Sequence, residues 1–311
     1  MASAALLRRR PVFAKAAQPQ TKLSFEVPSG ACDCHVHVFG DTQHYPFAPT
    51  RTYTPETAST GELRALLSAL RLDRVVVVQP SVYGTDNSCT LDAIRSLGKR
   101  ARGVAVIDDK TPEATLNEMD RAGIRGIRLN LATAGVTDPG AAQKRFQDAV
   151  ERVKTREWHI QLNTQLSVIE ALNNALMASP VPLVFDHFGG ARAALGVQQA
   201  GFSSLVNLVK SGKAYVKISA AGDGMSTQAP DYSDVAPLAK ALAAANPQRI
   251  LWGSNWPHPD SAPLQGRKNT DLAPHMQTDD GRILNLLPTW VPEPNTRRMI
   301  LTDNPAHLYG F

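Results

Sequence analysis

The chain has 311 residues, 43% hydrophobic and 20% charged, which excludes disordered, collagen-like and disulfide-stapled classes and leaves a soluble globular protein with a large core. The formal net charge is +5, but residues 1–30 hold Arg8, Arg9, Arg10, Lys15 and Lys22 against Glu26 alone, so they carry +4 and the rest of the chain only +1. A nucleic-acid groove needs clustered Lys and Arg on the folded body, so no nucleic-acid partner is expected, and an odd count of three cysteines reads as reduced thiols.

Residues 1–30 read as a flexible basic N-terminal tail ahead of a single domain over 31–311. The opening MASAALLRRRPVFAKAAQPQ has paired arginines, but no apolar stretch follows them as a signal peptide requires. A cytoplasmic location is therefore expected, with periplasmic export as the alternative. No apolar run approaches the ~18 residues that span a bilayer, so no membrane partner is expected either.

Short β-branched or apolar runs then recur at 31–39, 74–80, 101–107, 124–130, 159–164, 182–188, 214–220 and 249–256, eight in all. Each is followed by a segment of helical periodicity, the pattern of repeated βα units. Eight such units with no Ser/Gly-rich linker predict an α/β fold of the (β/α)₈ TIM-barrel type. A doubly wound open sheet is the rival, but no strand is followed by a GxGxxG or a P-loop. Two long connections, 40–60 and 257–293, fall after the first and eighth strands, on the face where barrel chemistry sits.

In the first strand a period of two places Asp33, His35 and His37 on one face and Cys32, Cys34, Val36 and Val38 on the other, the latter set expected against the helices. A lone histidine is more often a packed residue than a ligand. Here the sixth strand also ends in polar residues, Asp186-His187-Phe188-Gly189-Gly190, and so does the eighth, Gly253-Ser254-Asn255-Trp256-Pro257-His258. Three histidines converging from two strand ends suit polarisation of a carbonyl or ligation of a metal. Arg128 and Asn130 share a face at the end of strand four, where Arg128 can meet a carboxylate with two N–H donors; an internal ion pair is the plainer alternative. Arg125 faces the helices.

Asp33-Cys34-His35-Val36-His37-Val38-Phe39, the Asp186 and Gly253 segments, Gln79-Pro80-Ser81-Val82-Tyr83-Gly84-Thr85-Asp86-Asn87, Arg125-Gly126-Ile127-Arg128-Leu129-Asn130 and the closing Asp303-Asn304-Pro305-Ala306-His307-Leu308-Tyr309-Gly310-Phe311 are together similar to the amidohydrolase superfamily. Tyr45-Pro46-Phe47 and Tyr53 add to the likeness. It lies with the branch of 2-pyrone-4,6-dicarboxylate lactonase, sulfomuconolactone hydrolase and galactarolactone isomerase, from about residue 30 to the C-terminus. The resemblance implies a barrel hydrolase that opens a small lactone, several members of the branch working without a bound metal. In such members strand-end histidines hold the lactone carbonyl, and His35, His37 and His187 match them.

A carboxylate at the end of strand eight would then move the proton, but the matching residue is Asn255, whose neutral amide can neither accept nor deliver one near pH 7. Three accounts compete: an inactivating substitution; a natural replacement with His258, Asp260 or a strand-one histidine as base; or binding without turnover. No metal cofactor is expected; a single zinc on His35, His37 and His187 is the alternative. Arg128, Ser81, Tyr83, Tyr53 and Asn163 are the expected substrate-binding residues. The loop over 132–139 carries no Arg or Lys, which favours a lactone with one carboxylate, of the sugar-acid or muconolactone type, over a dicarboxylate. The expected partner is thus a small-molecule lactone. A lactone isomerase uses the same parts, and the oligomeric state is left open.

Overall fold

A computed structural model describes residues 16–262 and 265–311. Its main sheet has eight parallel strands in chain order: β1 (Cys32–Val36), β2 (Arg74–Val78), β3 (Ala101–Ala105), β4 (Ile124–Asn130), β5 (His159–Asn163), β6 (Leu183–Phe185), β7 (Ala214–Ser219) and β8 (Ile250–Gly253). The end of β8 meets β1 again, where Asn255 N–H donates to His35 O at 2.9 Å and His37 N–H donates to Trp256 O at 2.8 Å. The barrel is therefore closed along this seam. Most strands are shorter than the apolar runs that announced them, because the last residues of those runs turn over the barrel mouth.

The helices form where local signals dictate. Ser59 and Glu62 make a reciprocal capping box at the start of α1 (Thr60–Ala69), and Gly123 ends α3 (Glu113–Ala122) at a left-handed φ of 102°, which glycine adopts without strain. Between these lies α2 (Ser88–Leu97), whose buried Ala93, Ile94 and Leu97 belong to the layer between helices and sheet. Alternate strand residues turned the other way fill the barrel interior. Cys32, Cys34, Val76, Val78, Val104, Val184 and Leu251 form an apolar plug with Tyr215 and Tyr309. Arg74 and Arg102 lie 5.3 and 4.8 Å from the Phe311 ring beside it, so the C-terminus closes the lower end and leaves the upper one for chemistry.

The position of Cys32 and Cys34 corrects the alternation read from the sequence. The register of β1 against β2 shifts between Asp33 and Val36, the signature of a β-bulge. Cys34 and His35, adjacent in sequence, both belong to the interior as a result. Asp33 pairs in register with Val75 of the outer layer, so it does not share the histidine face. It instead clips the seam, its Oδ1 accepting from Ser254 N–H and His35 N–H at 3.0 Å each, and its Oδ2 from the Ser254 hydroxyl at 2.6 Å.

The two long loops after β1 and β8 are fastened to each other by a short parallel ribbon, Thr54–Pro55 against Leu272–Ala273. A second correction concerns the expected tail. Residues 1–15 lie outside the described residues, but 16–30 form a strap along the barrel: Ala17 O accepts from Trp256 Nε1 at 2.9 Å, and Leu23, Phe25 and Val27 pack on the core. The composition of the strap is polar enough to read as a tail, and its partners, Asp279 and Asn285, are more than 250 residues away in sequence. Asp279 accepts from Gln20 N–H, Thr21 N–H and the Thr21 hydroxyl while also capping the helix that begins at Asp280. Asp279→Ala removes all four bonds and is expected to destabilise the fold by about 1–2 kcal/mol, measured by urea denaturation, with little change in the m-value.

Candidate active site

The mouth of the barrel holds a cavity of about 460 Å³. Of the residues expected to serve it, His37, His187, Asn255, Arg128, Ser81, Tyr53 and Asn163 line it. His35 lies just beneath, fully buried, with its Nε2 3.3 Å from His37 Nε2 and its ring centroid 4.6 Å from that of His187. Tyr83 does not reach the cavity, which corrects its expected role: it is buried under the first long loop, accepts from Gly40 N–H at 3.0 Å and packs on Phe47. A larger groove of about 890 Å³ runs along the outer flank beside β4, but Lys144 and Asp148 already pair there at 2.8 Å, and size alone does not make a site.

Asp186, at the end of β6, is the centre of the polar floor. Arg128 Nε and Gln161 Nε2 donate to its Oδ2 at 3.0 Å each, and Lys217 Nζ lies 3.5 Å from its Oδ1. Burial alone would raise its pKa; His35, Lys217 and Arg128 outweigh burial and hold it well below the usual carboxylate range. Lys217, in the middle of β7, is itself completely buried and also donates to Gln161 Oε1 at 2.6 Å. Arg128 thus makes the internal ion pair weighed for it, through Nε, and also lines the cavity. Gln161 belongs to this floor rather than to the cavity lining.

The same cluster orders the imidazoles. Val78 O can only accept, so His37 Nδ1, 2.8 Å away, carries the proton and its Nε2 presents a lone pair. Burial holds His37 at about 3 and His35 well below its usual value, so both rings are neutral near pH 7. Facing that lone pair, His35 Nε2–H donates to His37, and His35 Nδ1 lies 3.3 Å from Lys217 Nζ and 3.1 Å from Asp186 Oδ1. Ser219 Oγ bonds His187 Nδ1 at 2.8 Å, leaving Nε2 free among the described residues; burial lowers this ring to about 4.

His35, Asp186 and His187 each offer a ligand atom, all within 4.8 Å of one another, and the 3.3 Å between the His35 and His37 Nε2 atoms matches two imidazoles sharing one ion. The distances suit a divalent ion. Asp186 is also flanked by the Lys217 and Arg128 cations, and its Oδ1 lies 3.1 Å from His35 Nδ1, an acceptor for the proton that this nitrogen would carry with Nε2 bound to a metal.

A second cluster, absent from the expected site, stands on the other loops. Asp223, just after β7, lines the cavity. His258 Nδ1 lies 3.0 Å from both of its oxygens, and His258 Nε2 lies 3.1 Å from Asp280 Oδ2. Burial pushes the His258 pKa down, but the two carboxylates outweigh it and hold the ring as an imidazolium. Asn255 Nδ2 donates to Asp223 Oδ2 at 2.7 Å. Arg192, exposed at the rim, is a further cation lining the cavity that the sequence reading missed.

A family model described as amidohydrolase matches residues 32–311. Among curated relatives, 4-sulfomuconolactone hydrolase of Hydrogenophaga intermedia is 36% identical, covering 93% of this chain and 91% of the relative. A 2-pyrone-4,6-dicarboxylate hydrolase of Comamonas testosteroni is 32% identical over 96% and 94% of the two chains, and D-galactarolactone isomerase of Agrobacterium fabrum 28% over 91% of each. An Agrobacterium tumefaciens protein solved in its apo form superposes with a TM-score of 0.78 at 25% identity, covering 96% of this chain and 98% of that one.

The floor generates a stability prediction. Lys217→Met leaves the buried Asp186 short of a cation, and Asp186→Asn leaves Lys217 short of an anion; each is expected to cost about 3–5 kcal/mol. In the double variant neither charge is stranded, so urea denaturation should give a loss smaller than the sum of the two.

Proposed function

We propose that this chain, which belongs to the amidohydrolase family, opens a carboxylate-bearing lactone by water attack on the ring carbonyl. The observation that carries the reading is the ordered set of neutral imidazoles beside an arginine at the floor of one cavity. A carbonyl oxygen entering this cluster can take the His35 Nε2–H now directed at His37 and an Nε2–H of His187. The His37 lone pair sets Nε2 as the donor of His35, and the Ser219 hydroxyl, by donating to His187 Nδ1, leaves the proton of that ring on Nε2. Donors set in place before the reaction stabilise the negative charge that develops on that oxygen without a cost of reorganisation. Arg128 holds the acid group of the substrate through the part of its guanidinium that Asp186 does not engage. Tyr53, Ser81 and Asn163 supply further hydrogen bonds from the wall; burial pushes the Tyr53 phenol up to about 12, so it stays a neutral donor.

We read the activity as metal-independent, since the Lys217 and Arg128 cations already occupy the neighbourhood of Asp186 in which an ion would have to sit. An isomerase differs only in its nucleophile, a substrate hydroxyl in place of water. Turnover in ¹⁸O-labelled water separates the two: hydrolysis is expected to place one label in the product carboxylate, and unlabelled product would mean isomerisation. Activity is expected to survive exhaustive dialysis against a chelator, with no zinc found by elemental analysis of the active protein.

Arg192 revises the substrate class expected from the loop over 132–139. That loop has no cation, but Arg192, on the loop after β6, gives the cavity a second one with no ion-pair partner among the described residues. The site is therefore read as accepting a lactone with two anionic groups, Arg128 at the floor and Arg192 at the rim. Arg192→Ala is expected to raise KM about tenfold for a dianionic lactone, equivalent to roughly 1.4 kcal/mol, and by much less for a monoanionic one, in steady-state kinetics on matched substrates.

A further inference from the structure

We propose that Asp223 is the carboxylate that takes up and returns the proton in this site, with Asn255, His258 and Asp280 as the residues that position it. The proposal rests on the lactone-opening reading and supplies the base that Asn255 cannot be.

Asp223 lines the cavity together with His187 and Asn255, and its side chain is 5% exposed. Three protons point at its four lone-pair positions: the Asn255 amide at 2.7 Å, the Thr278 hydroxyl at 3.3 Å, and the His258 Nδ1–H shared between both oxygens at 3.0 Å. Because the His258 proton is shared by both oxygens, these contacts engage all four positions, and a water or substrate hydroxyl takes the place of the longest of them, the Thr278 hydroxyl at 3.3 Å. Asn255 is thus the donor that fixes the carboxylate, in a left-handed conformation (φ 74°) that Asn and Asp both tolerate.

The other residues that could serve as base are engaged. His258 has both N–H groups committed to carboxylates and no lone pair to offer. Asp260 is paired with Arg267 at 2.7 Å, and protonation of His37, whose lone pair a carbonyl bound to His35 would free, is disfavoured by burial and by the Arg128 cation.

Asp280 explains how Asp223 can accept a proton at all. Were His258 an imidazolium with Asp223 as its sole counter-ion, protonating Asp223 would strand a buried positive charge. Because Asp280 holds the opposite ring nitrogen, the His258–Asp280 pair remains complete when Asp223 becomes neutral. The groups facing Asp223 are His258, Asn255 and Thr278 from the loop after β8, His187 from the loop after β6, and Tyr232 further along its own loop. His258 and His187 favour its ionised form, as do the bonds from His258 and Asn255, and together they outweigh burial and hold it below its usual value.

The step balances. A water O–H bond breaks as its oxygen bonds the lactone carbonyl carbon, and that proton goes to Asp223. The tetrahedral centre collapses, the ring C–O bond breaks, and the departing ring oxygen takes the proton back from Asp223. Lactone and water become a hydroxy acid, whose new carboxyl group ionises into solvent.

The test compares the parent, Asp223→Asn, His258→Gln and Asn255→Asp on muconolactones, a pyrone dicarboxylate and galactarolactone, with circular dichroism to verify folding. Asp223→Asn is expected to lose at least about 100-fold in kcat while binding the ring-opened product of the parent within about threefold of the parent affinity by calorimetry. His258→Gln removes the cation that depresses Asp223, so the acid limb of kcat/KM should move to higher pH by about one unit, a change that a purely structural role would not produce. This variant also serves if Asp223→Asn fails to fold. Asn255→Asp sets a second carboxylate against Asp223 and is expected to be no faster than the parent. An Asp223→Asn variant within about threefold of parent kcat, an unmoved acid limb in His258→Gln, or an Asn255→Asp variant that opens a lactone the parent cannot, would each overturn the assignment of Asp223 and leave the lactone site standing. Parent and Asn255→Asp both inert on every lactone would overturn the lactone reading along with it.

Discussion

A carboxylate at the centre of a closed barrel cannot be left without counter-charge, and the upper half of this molecule is arranged around that constraint. Asp186 has no exposed oxygen, so Lys217 must come from β7 and Arg128 from β4 to meet it, with Gln161 of β5 bridging carboxylate and ammonium. Each of these side chains is thereby fixed in rotamer and direction. Above this floor Val78 O assigns the proton of His37, and the His37 lone pair that of His35. The order of the imidazoles is therefore set by a backbone carbonyl at the end of β2, and the charged floor holds the His35 ring in place beneath it.

The seam between β8 and β1 is the second determinant. Regular alternation along β1 would put His35 and Cys34 on opposite sides of the sheet. The bulge sends both inward, so that one short strand contributes to the apolar plug and also to the reactive floor. The Asp33 carboxylate stabilises the bulge by accepting two backbone N–H groups and the Ser254 hydroxyl across the closure. Burial pushes this carboxyl up to about 7. Closure and catalysis share the same few residues: Asn255 N–H caps the His35 carbonyl, while the Asn255 side chain reaches Asp223.

How much of this could be read from the chain follows the range of the interactions. The eight strands were legible because apolar runs and helical periods are local patterns. His37, His187 and Arg128 could be placed at the cavity because polar residues recur at the ends of the first, fourth and sixth strands. The bulge was not legible, since it depends on register against β2, and strict alternation in Asp33-Cys34-His35-Val36 argues for a regular strand. Lys217 left a usable signal, one cation inside the apolar run Ala-Tyr-Val-Lys-Ile-Ser, that counting strands passed over. Asp223 left none: it stands in a Gly-rich turn, and its partners Asn255, His258 and Thr278 come from a loop that folds back over it. Tyr83 failed as a site residue for the converse reason, because the first loop covers it.

The two buried networks carry opposite charge, and their difference suits the reaction assigned to the cavity. With its imidazoles neutral, the floor holds Lys217 and Arg128 against Asp186 and retains one positive charge. The loop cluster holds Asp223 and Asp280 against the His258 imidazolium and retains one negative charge. A carbonyl oxygen gains electron density as water adds to it and is stabilised beside the first; the water loses a proton in the same step and is stabilised beside the second. Neither network needs a net charge of zero, because their sum is close to zero and both border one cavity. An aspartate at position 255 would add a negative charge to the loop cluster at hydrogen-bond distance from Asp223, and one of the two carboxyls would have to stay protonated. The amide at 255 and the carboxylate at 223 are therefore best understood as one unit, in which the neutral residue lets its neighbour keep the charge.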